Sequence, residues 1–327
     1  MKRAWMAWVS LLDRREDPIA LVWVRILVAA VVLFDLLYAR SLGLVDAIWA
    51  PPPEGVGYGA IWGDRPPFVV RWLGAGADTA RTVWTVATVS AVLVLIGCAT
   101  RASAIVLVLA LAQLAHLAPD SDRGIDVFLR LVLLILALSG SHARWSIDAW
   151  FRHRIGRPMP TLVPAWPRYL LLLQLCWVYF SAGHNKSDGA WGPMEGFSAL
   201  ASVLCDPHFA RFDPGWVAGA YPLLQLGTLA TMMFELSSPF VPIWIYYAMS
   251  RERPGRVRRL CNRMRLRWIW IAAGLTFHLG IAATMRLGIF PFGMLAVYPV
   301  LFQPDEFAAA AGRVTGWLRQ RRPYPGG

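Results

Sequence analysis

The sequence predicts an all-α fold, a polytopic integral membrane bundle of about eight transmembrane helices with its N-terminus and C-terminus in the cytoplasm. Hydrophobic residues make up 57% of the 327 residues and charged residues only 16%, whereas a soluble domain carries about 25% charged residues. The mean hydropathy is +0.47, and several apolar runs approach the roughly 20 residues that a helix needs to cross a bilayer. These observations exclude an ordinary soluble domain.

The first 17 residues predict a short amphipathic helix at the membrane surface. Trp5 and Trp8 suit the level of the lipid headgroups. No small-residue cleavage site follows, so a cleaved signal peptide is not predicted. We therefore divide the chain into this interfacial helix (1–17), a transmembrane domain (18–307) and a basic cytoplasmic tail (308–327).

Apolar runs separated by polar loops predict the individual crossings. The eight predicted crossings are 18–39, 80–99, 102–118, 125–140, 167–184, 217–249, 268–285 and 288–303. The sixth is too long for one straight span. Because it contains Glu235 and Pro239, we expect it to be tilted, kinked or broken.

Loop charges set the expected orientation, since arginine and lysine collect on the cytoplasmic side. Arginines concentrate in the N-terminal arm, in 142–157, in 251–267 and in the C-terminal tail. Eight crossings from an inside start place all four segments in the cytoplasm, and the loops 40–78 and 185–216 then face outward. The net charge of +12 is thus explained by the membrane, and nucleic acid is not an expected partner.

The cysteines and the common catalytic motifs narrow the chemistry. Cys98, Cys176, Cys205 and Cys261 form no CxxC pair and fall at different depths in this topology. Neither a disulfide framework nor a zinc site is predicted. The sequence also lacks the motifs of phosphate-binding loops, serine hydrolases and zinc proteases, and it lacks the inverted repeats typical of many transporters.

One lysine stands out in the segment YFSAGHNKSDGAW, residues 179–191. The chain has two lysines, Lys2 and Lys186, against 30 arginines. Unlike a guanidinium, an amine can be made neutral by burial and can then take up a proton. A genome that favours arginine codons explains the arginines, but it does not explain why Lys186 falls where the fifth helix meets the outer face. A site at that depth is partly dehydrated, which favours a neutral amine.

Charged residues inside membrane helices are energetically costly and mark a functional interior, a buried ion pair, or both. The candidates within the predicted spans are Arg25, Asp35, Asp126, Arg130, Glu235 and His278. Asp126 and Arg130 are four residues apart, so we expect them to share a helix face and to pair. A fold-holding role is the alternative for this pair and for Arg25. Glu235 is either a proton acceptor or a helix-end hydrogen bonder, and His278 is either a site residue or a satisfied core histidine.

The segment 179–191 resembles the part of vitamin K-dependent gamma-glutamyl carboxylases that holds their catalytic lysine. That pattern is Tyr-Phe-x-Ala-Gly-x-x-Lys, with Asp two residues later and Trp five residues later, and its lysine falls on Lys186. Further stretches resemble the same family in the same order. They are RILVAAVVLFDLLYARSLGL (25–44), ARWSIDAW (143–150), FELSSPF (234–240) and TFHLGIAATMRLGIFPFGMLAVYPVLFQPDEF (276–307). The resemblance covers about residues 18–307, and bacterial members are known as HTTM, or horizontally transferred transmembrane, domain proteins.

The resemblance implies a reaction and its cofactors. In the carboxylases the lysine deprotonates reduced vitamin K, the quinol anion reacts with O2 to become a strong base, and that base removes a γ-proton from a substrate Glu, which captures CO2. Reduced vitamin K or menaquinol, with O2 and CO2, is therefore implied, and no metal is implied. The family has an essential histidine where this sequence has Ile125, and we expect the large lumenal region of the animal enzyme to be missing. Quinol oxidation is thus implied more directly than Glu carboxylation.

Our first hypothesis is a carboxylase-like enzyme of the bacterial cytoplasmic (inner) membrane whose site faces outward, with Lys186 and His278 as catalytic residues. The predicted quinol pocket comprises Tyr179, His184, Asn185, Asp188, Trp191 and Glu235, and the predicted supporting polar residues are Arg25, Asp35, Asp126, Arg130, Trp145 and Asp148. Expected partners are a lipid quinone, membrane lipids, and a secreted peptide substrate or a partner membrane protein. The second hypothesis is a non-catalytic membrane subunit for maturation, export or immunity of a secreted peptide, in which Lys186 anchors a carboxylate or headgroup. A transporter is the third.

Overall fold

A computed structural model describes residues 5, 6, 9, 10, 12–57 and 66–320, with side chains described up to residue 313. The described chain has an all-helical fold with almost no strand, as predicted. Its helices in chain order are α1 (Ile19–Ser41), α2 (Leu44–Trp49), α3 (Phe68–Leu73), α4 (Ala77–Ile96), α5 (Thr100–Leu117), α6 (Gly124–Leu138), α7 (Ile147–Arg154), α8 (Trp166–His184), α9 (Ala199–Cys205), α10 (Tyr221–Leu236), α11 (Val241–Met249), α12 (Arg256–Arg263), α13 (Leu266–Thr284), α14 (Phe290–Leu295) and α15 (Pro304–Gln320).

Among the described helices, four are long and apolar enough to cross a membrane, namely α1, α4, α5 and α13. The total of eight crossings and the orientation of the termini stay predictions. The chain divides into two compact units, one formed by residues 1–169 with 296–327 and the other by residues 170–295.

The N-terminal arm differs from its prediction. Residues 5, 6, 9, 10 and 12 are helical, but Arg15–Glu16 form a short strand, β1, that pairs antiparallel with Val163–Pro164, β2. A helix over the whole of 1–17 is therefore wrong at its C-terminal end, because the backbone there bonds to another segment instead of to the preceding turn. Trp5 is exposed, as an interfacial residue should be, and Trp8 lies outside the described residues.

In the first unit, α1, α4, α5 and α6 pack against one another. Helix α1 buries Val24, Val28, Val32 and Leu36 at a spacing of four residues, which places them on one face. Its other face exposes further apolar side chains, including Phe34. An apolar surface all round a helix is typical of a span with one face toward protein and the other toward lipid.

In the second unit, the sixth predicted crossing is broken, as expected. Helix α10 ends at Leu236, a 3-10 turn follows at Ser238–Phe240, and α11 continues from Val241. The break follows from Pro239, which has no N–H to donate and whose ring clashes with the preceding turn. The hydroxyl of Ser238 donates to the carbonyl of Cys176 at 2.8 Å and ties the break to α8.

The eighth predicted crossing, 288–303, is not one continuous helix. Its first part is α14, in the second unit, and its last part is the 3-10 turn Tyr298–Leu301, in the first unit. Pro299 prevents a continuous helix because it cannot donate a hydrogen bond to the carbonyl one turn earlier.

Candidate functional site

Lys186 follows the end of α8 and lies against an acidic and an aromatic side chain of the second unit. Its Nζ donates a hydrogen bond to Oε2 of Glu235, the penultimate residue of α10. The same Nζ lies 4.6 Å from the centre of the Trp191 ring. The Lys186 side chain is 18% exposed and that of Glu235 only 4% exposed, so the pair is screened little by water.

Two local features bring these three side chains together. Gly183 lies so close to α10 that a Cβ built on it would be 2.9 Å from the Cβ of Glu235; any larger residue would push the helices apart. Asp188 caps the 3-10 turn Gly189–Trp191 by accepting a hydrogen bond from the N–H of Ala190 at 3.1 Å. That cap fixes the turn that carries Trp191 onto the lysine.

A cavity of about 560 Å³ lies beside Lys186, within the second unit. Its lining is mostly apolar and comes chiefly from α9, α10 and α13. The lining residues are Lys186, Trp191, Leu200, Val203, Leu204, Trp216, Leu224, Gly227, Ala230, Thr231, Phe234, Ala273, Thr276, Phe277, Gly280, Ile281, Thr284 and Met285. Small residues on the facing helices leave this space open, and a Cβ built on Gly280 would meet nothing within 4 Å.

The cavity is a slot with the lysine at one end. Because Glu235 lies at the C-terminal end of α10, Lys186 is held at that level, next to Phe234. Leu224 lines the cavity ten residues before Phe234, which corresponds to about 15 Å along the helix at the usual rise. An elongated apolar molecule with one polar end fits this arrangement.

Tyr179 and His278 form a second polar pair, in the wall of the second unit. The Tyr179 hydroxyl and His278 Nε2 share a hydrogen bond of 2.6 Å, and both side chains are buried. Their neighbours are aromatic: the ring of Tyr179 lies 4.8 Å from that of Phe234 and 5.5 Å from that of Trp270. Neither Tyr179 nor His278 lines the cavity, so they support its wall through Phe234.

His184 and Asn185, two other predicted pocket residues, are exposed and do not line the cavity. The His184 ring stacks on Phe180 with centroids 5.8 Å apart. The Asn185 amide donates to the hydroxyl of Ser181 at 3.4 Å. The structure thus brings together Lys186, Trp191 and Glu235 from the predicted set, and places these two on the outside.

The predicted supporting residues Arg25, Trp145 and Asp148 make their contacts inside the first unit. Arg25 is fully buried, and its guanidinium donates to the carbonyls of Val94 at 2.9 Å and Trp145 at 2.6 Å. Asp148 accepts hydrogen bonds from the N–H and hydroxyl of Thr100 at 2.8 and 2.7 Å. Burial by itself would raise the pKa of Asp148, but the hydrogen bonds from Thr100 and Ala99 outweigh it and hold that pKa below its ordinary value. These contacts hold the turn between α4 and α5 in place. For Arg25 this agrees with the alternative that it stabilises the fold.

The expected ion pair between Asp126 and Arg130 is wrong. Arg123 binds Asp126 at 2.8 Å and also Asp35 at 2.5 Å, whereas Arg130 binds Asp122 at 2.7 Å. Helical side chains lean toward the N-terminus, so the short Asp126 side chain reaches back to the cap of α6 and not forward to the next turn. Asp126 also accepts a hydrogen bond from the N–H of Arg123 at 3.0 Å, which completes the cap.

Sequence reasoning missed a buried ion pair and most of the cavity wall, since only Lys186 and Trp191 of the 18 lining residues were predicted site residues. Arg168, which is fully buried, binds Glu16 at 2.6 Å in the first unit; its position at the start of a span looked like that of any interfacial arginine. The wall residues Thr231 and Thr276 were missed as well. Their only signal is the run of small residues around them on α10 and α13, and such runs also occur where helices simply pack.

Comparison with known proteins gives the family. No solved structure matches the chain. The model of the HTTM domain matches residues 13–252, a range that contains Lys186, Trp191 and Glu235 and ends before α13. This domain is associated with vitamin K-dependent carboxylase-like membrane proteins, and with the four apolar helices it makes the chain an integral membrane protein. The chain belongs to the HTTM domain family.

Proposed function

We propose that this protein is a carboxylase-like membrane enzyme that binds a lipid quinol in the cavity of the second unit and uses Lys186 as the base that starts the reaction. The observation that carries the proposal is the position of the Lys186 amine, at the end of an apolar slot and in contact with Glu235. Lys186 is the only lysine after Lys2, so no neighbouring amine can take over its role.

The residues of the slot fit a lipid quinol. A volume of about 560 Å³ lies in the range of roughly 300–1,000 Å³ that small-molecule sites occupy. Trp191, Phe234 and Phe277 contribute aromatic rings to the lining, and Gly280 leaves room for an apolar chain further along. When bound, the reduced quinol would supply, by its reaction with O2, a base far stronger than any side chain.

Lys186 and Glu235 can prepare a neutral amine by sharing one proton. As an ammonium and a carboxylate they form an ion pair; with the proton on the carboxyl group, both side chains are neutral. Neither arrangement leaves an unpaired charge in a site that water screens little. The neutral Nζ can accept a hydroxyl proton from the slot, and the face of Trp191 stabilises the ammonium that forms.

The finer parts of the proposal rest on the sequence. We propose that the chain crosses the membrane eight times, with the sixth and eighth crossings interrupted, and that both termini are cytoplasmic, so that Lys186 faces outward across a bacterial inner membrane. A secreted peptide would then be modified at that face. Ile125, where the family has an essential histidine, is buried and carries no proton to transfer. The residues therefore support oxidation of the quinol better than carboxylation of Glu, which would need CO2 as a second substrate.

The test is quinol oxidation by the full chain in lipid nanodiscs loaded with menaquinol. Lys186→Arg keeps the positive charge but removes the base, and general-base catalysis is worth about 10²–10⁴-fold, so we expect at least a hundredfold slower O2-dependent oxidation. Lys2→Arg makes the same exchange at the other lysine and should leave the rate unchanged. A Lys186→Arg protein that folds normally and oxidises menaquinol at the unaltered rate would refute the proposal.

One observation favours the non-catalytic subunit as a second candidate. The Lys186 amine is already bound by a carboxylate and an aromatic face, which is also what a fold-holding ion pair looks like. In that case Lys186→Arg preserves function, and a photoreactive group placed in 40–57 should crosslink a neighbouring membrane protein or a small secreted precursor.

A further inference from the structure

Helix α12 directly precedes a helix that is long and apolar enough to cross a membrane. It connects α11, which ends at Met249, to α13, which begins at Leu266 and is one of the four helices able to span a bilayer. The whole connection 251–267 carries eight arginines and a single acidic residue, Glu252. This charge is independent of the proposed quinol site, and nothing in that proposal uses it.

One face of α12 is fixed to the preceding helix. The Asn262 amide donates to the carbonyl of Tyr247 at 2.9 Å, and Arg258 donates to the carbonyl of Ser250 at 3.2 Å. The Arg258 guanidinium also lies 5.2 Å from the centre of the Tyr247 ring. These contacts fix the rotation of α12 about its axis and hence the direction of its other two faces.

The other two faces are exposed, and they differ in character. Val257, Leu260 and Met264 follow one another at three and four residues, so they share a face, and each is more than half exposed. Arg256, Arg259 and Arg263 share the adjacent face at the same spacing and are exposed. Within the described part of the chain, none of these three arginines makes an ion pair.

We propose that α12 binds anionic phospholipid, with Arg256, Arg259 and Arg263 on the headgroup phosphates and the apolar face inserted at the boundary with the acyl chains. An apolar face beside a basic face is the arrangement of helices that lie in the membrane surface. A soluble phosphate would explain the arginines but not the exposed apolar face. Exposed Tyr246 and Trp268, at the ends of the neighbouring helices, are aromatic residues of the kind that mark this level.

The test compares two lipids on the purified full-length protein. Detergent-solubilised protein is titrated with dioleoylphosphatidylglycerol or dioleoylphosphatidylcholine, and bound lipid is counted by native mass spectrometry. Each arginine near an anionic surface is worth roughly fivefold in binding, so the triple exchange of Arg256, Arg259 and Arg263 to Gln should weaken the tightest phosphatidylglycerol site by at least tenfold. The triple exchange to Lys keeps the charge and should retain most of the binding.

A matched control removes three charges elsewhere. The control variant carries Arg152→Gln, Arg154→Gln and Arg157→Gln, and its net charge changes by the same amount. Its affinity for phosphatidylglycerol at the tightest site should change less than twofold, because the proposal assigns that site to α12. If the glutamine variant of α12 does not fold, the proposal is tested on the unaltered protein. Its preference for phosphatidylglycerol over phosphatidylcholine must then fall as the salt concentration rises. Equal losses in both triple variants, no preference over phosphatidylcholine, or displacement of the lipid by excess inorganic phosphate would each overturn the proposal.

Discussion

Replacing either Lys186 or Glu235 alone should lower the free energy of unfolding, whereas replacing both together should hardly change it. The Lys186 side chain is 18% exposed and that of Glu235 4% exposed, so either one alone would be a poorly solvated charge. Removing one partner of a buried pair costs about 3–5 kcal/mol. We expect Glu235→Gln to lower the free energy of unfolding by about 3 kcal/mol, with a similar loss for Lys186→Met. The double variant leaves no unpaired charge and should return to within about 1 kcal/mol of the unaltered protein.

The measurement is a double-mutant cycle on the free energy of unfolding, obtained from denaturant titrations in mixed micelles with tryptophan fluorescence as the signal. The matched control is the pair of Arg81 and Asp46, whose side chains are 55% and 35% exposed. An exposed pair of this kind couples by about 0–1 kcal/mol. If Lys186 and Glu235 couple no more strongly than this surface pair, the pair is solvated, and the argument for a proton shared in an apolar site fails.

Three further predictions test the cavity, the first unit and the polar pair in the wall. Gly280→Leu should fill open space in the slot and weaken menaquinol binding by roughly tenfold or more, with little change in stability. The smaller exchange Gly280→Ala should leave binding almost normal. Equal binding by both variants would place the ligand elsewhere. Asp148→Asn should lose about 1–2 kcal/mol of unfolding free energy at pH 7 by weakening the bonds from Thr100. Because the folded pKa of Asp148 is lowered, the advantage of the aspartate is complete above its ordinary value of 3.8 and shrinks as the pH falls below that value; a constant difference across that range would contradict the assignment. Tyr179→Phe should cost about 1 kcal/mol, measured by the same titration, because it leaves His278 without its 2.6 Å hydrogen bond.

Apolar runs located most long helices, because a membrane span must be continuous and apolar whatever its neighbours are. The prediction 18–39 corresponds to α1, Ile19–Ser41, and the prediction 268–285 to α13, Leu266–Thr284. The break after α10 was foreseeable from Pro239, since a proline removes a backbone donor locally. The discontinuity of 288–303 has the same kind of signal in Pro299, whereas the apolar run around it predicts a single crossing.

The sequence predicted ion pairs poorly, because pairing depends on the direction of each side chain and on which loops pack beside it in the folded protein. Spacing alone paired Asp126 with Arg130, whereas the loop before α6 supplies closer partners for both. The partner of Lys186 is 49 residues away in sequence, and no local pattern connects the two.

The sequence by itself determined that this is a helical membrane protein of the HTTM type, and it singled out Lys186, because composition, apolar run length and the rarity of a residue type are properties of the chain alone. Only the tertiary structure decided what surrounds the lysine. Gly183 lets α8 approach α10, so that Glu235 meets the amine, and small residues on α10 and α13 leave a slot beside it. The reason is physical: close approach and empty space arise from how separate helices pack, and packing is fixed only when all of them are in place.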